Sequence, residues 1–411
     1  MKPSYALAAL LLAAFAAAAA PPRLLNERER LEDFDALWVA IDQGYAYFGA
    51  AKPAWRRARE LWRPRAARAR SRAELVAAFE GALAQLRDDH VTLSERAPGS
   101  LRRVPSETDI WAHWRDDVAV IEAVRTYGEA DVAGLRPGHL VRNVGRVPAH
   151  FAVRELAGAD AAPAARDWAL RHALAGPPEG VLRIEVAEAR GLRAYEVERR
   201  AHHAPNGPPL IGRRVGERRD LGYIRIKAPL SDAALAGQFA GAMGYLRGTR
   251  AMILDLRDAT GPFDDGARAR ATTLAILRHF AARSAPWQAR EPRPGERVTD
   301  TVASIPGAYT APLVVLVDRW TAGEGEALAA GLKAVAGARL VGTRTAGLRG
   351  ELREVRLAHT GIALRYPAQK TLLVDGSPRE SLRPDLLVDL AAPQGGPGDP
   401  ILYQALKLLE K

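Results

Sequence analysis

The sequence predicts an α/β protein organised around a parallel sheet, with a helical segment before it and a β-rich segment between. Three observations carry this. Leu313–Val317 is an unbroken apolar run that reads as a strand buried on both faces, as in a parallel sheet. It leads through the polar turn Asp318-Arg319-Trp320-Thr321-Ala322-Gly323 into an alanine-rich helix, Glu324–Ala336. The first turn of that helix carries Glu324 and Glu326, where the helix dipole favours negative charge. Further apolar strands at 221–226, 251–258 and 338–343 alternate with helical patterns, the sequence sign of parallel pairing.

At 411 residues the chain has room for two or three domains. Its apolar content of 48% and charged content of 26% exclude a disordered chain. Residues 1–20, with Lys2 before an apolar run and Pro21-Pro22 after it, read as a secretory signal cleaved within 17–20. A single membrane anchor is the alternative, and the alanine-rich run is short and weakly apolar for one. The absence of cysteine excludes disulfides, a thiol nucleophile and a zinc–thiolate site, and no metal or cofactor is expected. A periplasmic or secreted protein is the expectation. The net charge of +11 is carried mostly by arginine. The densest run, 55–72, is interrupted by Pro64 and spaced by alanine, so it reads as a solvated helical face. No nucleic-acid partner is expected for an exported chain, whereas an anionic envelope surface is a possible contact.

In chain order, Phe34, Leu37, Trp38, Ile41 and Tyr45 recur at helical spacing after Asp33, the expected N-cap. A second helix is expected over 55–62, stopping at Pro64, and a third from the capping box Ser71-Arg72-Ala73-Glu74. Residues 21–97 thus form a helical domain. Residues 108–200 are β-rich, with an apolar run at 118–124, further apolar residues at Leu140-Val141 and Val144, and alternating strands at 182–186 and 194–198. Within them, Gly134, Leu135, Pro137, Gly138 and Gly145 resemble the PDZ signature, with His139 where an aspartate is usual. That resemblance implies a groove at Gly134 and Leu135 where an extended peptide adds as a strand. Residues 201–220 read as a proline-rich linker, 221–392 as the core and 393–411 as a C-terminal helix.

The ordered set LGYIRI, MILDLRD, VVLVDRWTAGEGEALAAGL, LVGTRTAGL and LLVDGSPRESLRPDLLV resembles the C-terminal-processing (tail-specific) and tricorn-core serine peptidase family, over about residues 34–390. The resemblance implies a crotonase/ClpP-like core of ββα units, with the N-terminal helical domain and the PDZ-like domain in the family's order. It also implies a catalytic set, and here the chain departs from it. The family's serine sits in a T-A-S-x-x-E turn, which reads Thr321-Ala322-Gly323-Glu324-Gly325-Glu326 in this chain. Glycine has no atom that can attack a carbonyl. The tail-specific branch uses a lysine base, but no lysine lies between Lys333 and Lys370, and Arg349 stays protonated.

The tricorn-like branch uses a histidine and a late glutamate, matched by His90 in Leu86-Arg87-Asp88-Asp89-His90-Val91 and by Glu380. Carboxylates beside His90 are expected to orient it and keep it basic. For the oxyanion hole, Gly261 survives, but Pro262 after it has no N–H, and Glu324 brings a carboxylate beside the second donor. Loss of one such donor costs on the order of 10²–10³ in rate. Three readings follow. One is a non-catalytic homologue that binds peptides or protein C-termini, or scaffolds a partner peptidase. Another is an active peptidase with a displaced nucleophile, Thr321 or Ser377, using His90 and Glu380. The last is a crotonase-like acid/base enzyme using Glu324 or Glu326. The first accounts for the joint loss of nucleophile and oxyanion loop, and is the expectation.

Overall fold

A computed structural model describes residues 25–410 apart from 160, 189–190, 200–207, 258, 260–265, 294 and 393–397. The secretory signal expected at 1–20 and the loop glycine Gly261 therefore lie outside the described residues. Among the described residues, no helix is long and apolar enough to cross a membrane.

The N-terminal unit is helical, as its apolar spacing predicts. Helix α1 (Glu27–Gly44) starts at a capping box in which Asn26 and Glu29 exchange backbone N–H bonds at 3.0 and 2.9 Å. Asp33 is not the cap. It is buried inside α1, and its carboxylate accepts the His359 and Thr360 N–H groups at 3.0 and 2.7 Å. Helix α2 (Lys52–Arg68) runs through Pro64 rather than stopping there. The ring removes one backbone donor, but α2 buries Trp55, Ala58 and Ala66 on both sides of it, and that packing keeps the last turn helical. Helix α3 (Arg72–Leu83) is capped by Ser71, whose hydroxyl accepts the Glu74 N–H at 3.1 Å. Strand β1 (Thr92–Leu93) then ties this unit to the core.

The middle unit is an antiparallel sheet. It holds β2 (Ile110–Arg115), β3 (Val118–Val124), α4 (Glu129–Val132), β4 (Leu140–Val144) and β5 (Val147–Pro148). Helices α5 (Ala149–Ala157) and α6 (Pro163–Ala175) precede the hairpin β6 (Val181–Glu188) and β7 (Gly191–Glu198). The strand order is β2-β3-β4-β6-β7, with β5 on β4. Sequence periodicity did not reveal α5 and α6, because the face α6 buries is largely alanine, with only Trp168, Leu170 and Leu174 to mark it.

The core holds β8 (Leu210–Val215), β9 (Leu221–Ile226), α7 (Leu235–Leu246), β10 (Ala251–Asp255), α8 (Gly266–Arg278), β11 (Ala285–Pro292) and β12 (Val298–Val302). It continues with β13 (Leu313–Val317), α9 (Glu324–Ala336), β14 (Arg339–Gly342), β15 (Glu351–Arg356), β16 (Ala363–Leu372), β17 (Leu386–Leu387) and α10 (Pro400–Glu410). The main sheet has the order β17-β14-β13-β10-β9-β8 and is parallel from β17 to β9. Only β8 runs antiparallel, pairing Leu210 with Ile226. The second half of the expected linker is therefore an edge strand. Its apolar residues Leu210, Ile211 and Val215 are only half-buried and stand between prolines and arginines, which hid the pattern.

A second sheet, β1-β16-β11-β12 with β15 on β16, faces the other side of α9. All five residues of β13 are buried, because helices or strands cover both faces of the sheet. The turn after β13 and the start of α9 therefore lie at the carboxyl ends of parallel strands, where open α/β sheets form their ligand crevices.

Candidate active site

The turn from β13 into α9 is held by its own polar groups. Asp318 Oδ1 accepts the Trp320 and Thr321 N–H groups at 2.9 and 3.0 Å. The Thr321 hydroxyl accepts from the Asp318 N–H and donates to the Leu256 carbonyl, both at 3.0 Å, and is fully buried. Gly323 then takes φ 56° and ψ −114°, a backbone that L side chains rarely adopt. A β-carbon built on Gly323 meets one atom within 4 Å, His90 Nε2 at 3.8 Å. Two residues on, a β-carbon on Gly325 would lie 2.1 Å from the Ala259 carbonyl oxygen, so the start of α9 is pressed directly against the chain leaving β10.

His90 is 7% exposed, and its Nδ1 lies 2.5 Å from the Arg349 carbonyl oxygen. A carbonyl can only accept, so Nδ1 carries the proton and Nε2, on the Gly323 side, is the basic nitrogen. Burial pushes the imidazole pKa down to about 4, against the Arg349 bond and helped by the Arg379 charge. His90 is therefore neutral at pH 7. The charge of Asp89 favours the protonated ring, but burial outweighs it, contrary to the sequence expectation, and both neighbouring carboxylates bond to other groups. Asp88 accepts the His90 backbone N–H at 3.0 Å and the Tyr45 hydroxyl at 2.6 Å, and Asp89 accepts from His172 Nε2 at 2.7 Å. Arg349 lies near Asp88 and donates to the Tyr45 hydroxyl at 3.1 Å, so it anchors this segment.

Glu326 is completely buried and accepts four hydrogen bonds. Oε1 takes the Thr345 hydroxyl at 2.7 Å and the Gly347 N–H at 2.8 Å, while Oε2 takes the Gly323 and Leu348 N–H groups at 3.0 and 3.1 Å. It thus welds the turn before α9 to the loop after β14. Burial pushes the pKa of both first-turn carboxyls of α9 up, against the Arg379 charge. The helix-dipole expectation fails here because this helix start lies inside the molecule, not at its surface. Glu324 is half-buried and accepts the Thr273 hydroxyl at 3.0 Å.

Glu380 makes no hydrogen bond to His90 among the described residues, and its Oε2 is buried without a partner. Beside it Arg379, 2% exposed, donates to the Leu348 and Gly350 carbonyls at 3.3 and 3.0 Å. The sequence missed Arg379 and Thr345, and nothing in their spacing marks them. Ser377 donates to Asp375 at 2.6 Å in an exposed turn. Leu135 is fully buried in the core of the middle unit, with its N–H on the Ala130 carbonyl, and Gly134 supplies the positive φ of 96° before it. Leu135 therefore packs the unit and lines no groove, which corrects the peptide-binding expectation for it.

Between the middle unit and the core lies a cleft of about 700 Å³, lined by Trp111, Arg171, Arg344, Gly347, Glu380 and Arg383 among others. Arg319 spans its floor to Glu122 at 2.7 Å, and Trp320 Nε1 donates to the Thr108 carbonyl at 2.7 Å. Burial works against the Glu122 charge, but His113 and Arg319 outweigh it and hold that carboxyl down at about 2. On the outer edge of β2, the Trp114 N–H is already taken by Asp167 of α6 at 2.7 Å.

Comparison with known proteins adds family and fold. The family model for peptidase family S41 matches residues 220–388, and that for the tricorn protease C1 domain matches residues 26–84. Among curated proteins none matches in sequence. The photosystem II D1 C-terminal processing protease superposes with a TM-score of 0.56 at 19% identity, covering 88% of this chain and 94% of its own. Mature CPAF superposes at 0.59 with 15% identity, covering 93% and 95%. A putative peptidase from Parabacteroides merdae ATCC 43184 gives 0.55 at 14% identity, covering 94% and 98%. At these identities the likeness is one of fold.

Proposed function

Because the chain carries a core of peptidase family S41, we propose that it is an exported, non-catalytic member of that family that binds peptides or protein C-termini. The observation that carries this is the empty position opposite His90. Gly323 stands where the family's serine would, with its neighbours Thr321, Ala322 and Glu326 retained, and offers no nucleophilic atom. His90 is the remnant of the general base, in the neutral state and with the nitrogen such a base needs. In sequence, Gly261 and Glu324 match the family's oxyanion positions, and Pro262 after Gly261 has no N–H to give. Glu380, which lines the cleft, is the late carboxylate.

The displaced-nucleophile reading has less support. The Thr321 hydroxyl is spent on the Leu256 carbonyl, and the Ser377 hydroxyl on Asp375. Glu326 is saturated by four donors, which leaves it no role in proton transfer. The peptide ligand is supported by the cleft beside the PDZ-like unit and by the class of substrate named for the D1 C-terminal processing protease. The test is fluorescence polarisation with labelled unstructured peptides, followed by mass spectrometry of the same mixtures. The expected result is saturable binding with every peptide recovered intact. Peptides cleaved by the wild-type chain would overturn the proposal.

A further inference from the structure

A second cavity, of about 510 Å³, lies away from the Gly323 cleft, between α3, the 94–104 loop and helices α5 and α6. Its size suits a small ligand. Leu83, Ala84, Val91, Leu93, Leu101 and Val104 give it an apolar wall. Three of its lining residues carry a buried polar atom with no hydrogen-bond partner among the described residues: Trp62 Nε1, Thr92 Oγ1 and Trp168 Nε1. The Trp168 N–H lies close enough to Asp89 to favour its charge, without a hydrogen bond of ordinary geometry. Each buried polar group left unpaired costs about 1–3 kcal/mol. All three can donate a hydrogen bond.

A buried cation lines the same space. Arg102 is 7% exposed, and its Nε donates to the Ala175 carbonyl at 2.9 Å. Among the described residues no carboxylate lies within salt-bridge distance of it. The acids on the wall are engaged with other partners. Glu80 accepts the Ser100 hydroxyl at 2.5 Å, Asp89 accepts from His172 and Asp88 from Tyr45, while Glu155 is exposed at the rim. An apolar wall, donors without a partner and a buried guanidinium with no carboxylate in contact are complementary to one kind of molecule.

We propose that this cavity binds an apolar chain ending in a single carboxylate, with the carboxylate on Arg102 and the Thr92 hydroxyl. Such a group comes from a free fatty acid or from the apolar C-terminus of a short peptide. The site is independent of whether the core cleaves peptides. Asp88, Asp89 and Val91–Leu93 of its lining flank His90 in the chain.

The test is calorimetric titration of the full chain with decanoate and with N-acetyl-leucyl-phenylalanine, each beside its neutral amide. One or both acids should saturate a single site, and which acid does so identifies the source. Removing the charge should weaken binding about tenfold, the loss of one hydrogen bond to a charged group. Thr92→Val, which keeps the side-chain shape, should weaken the acid by a similar factor, as should Arg102→Gln. No saturable binding of either acid, equal affinity for acid and amide, or unchanged binding by folded Thr92→Val would overturn the proposal. So would acid binding that Arg344→Gln abolishes and Thr92→Val does not, because that acid would sit in the other cleft.

Discussion

His90 Nε2 faces Gly323 so closely that a β-carbon on the glycine would stand 3.8 Å from it. A neutral imidazole held by the Arg349 carbonyl thus stands opposite a residue with no side chain. The positive φ of Gly323 and the four-bond anchor at Glu326 preserve the turn that would present a nucleophile.

The two glycines of this turn should respond differently to a methyl group. Gly323→Ala meets only backbone strain, of about 1 kcal/mol. Gly325→Ala drives a β-carbon into the Ala259 carbonyl and should cost about 3 kcal/mol. Urea unfolding midpoints separate the two, and equal losses would contradict the packing described for α9.

His90 should make stability depend on pH. Its folded pKa, about 4, lies below the ordinary 6.5, so the unfolded chain takes up the proton first. The contribution is complete above about pH 6.5 and is lost as pH falls to 4, a difference of about 3 kcal/mol. Unfolding curves for His90→Gln should be flatter over that window than wild type. An imidazole that titrates near 6.5 by NMR would contradict the buried, neutral assignment.

Glu326→Gln replaces one acceptor oxygen with a donor facing two donors. At least one N–H or O–H then loses its partner, and a buried charge-assisted bond is gone, so a loss of about 3 kcal/mol is expected. Thermal melting reads this directly. A variant as stable as wild type would mean that the carboxyl is not the anchor.

Arg319→Met leaves the half-buried Glu122 with His113 alone and should cost about 2 kcal/mol. Adding Glu122→Gln should restore most of the loss, because the stranded charge is removed. Hydrogen exchange at the Trp320 and Thr108 contact would show the same order of protection: wild type, then double variant, then single.

The parts of this protein that follow strong apolar periodicity were legible in its sequence. Leu313–Val317 and Glu324–Ala336 stand where the pattern puts them, because a doubly buried strand and an amphipathic helix leave little choice. Alanine hid α6, and prolines and arginines hid β8. Pro64 read as a stop signal, yet tertiary packing carried α2 past it. In the site, sequence could name His90 and Gly323 but not their separation. It assigned orientation to Asp88 and Asp89, whereas a backbone carbonyl more than two hundred residues away in sequence performs it. Arg379 was invisible, since its effect on His90 and Glu326 acts through space.

The central claim is that Gly323 leaves this core without a nucleophile opposite His90. Fluorophosphonate labelling of wild type, Gly323→Ser and Gly323→Ser/His90→Ala tests it most directly. The account predicts no label on wild type, label on Gly323→Ser, and loss of that label when His90 is also removed. Label on the wild-type chain would contradict it.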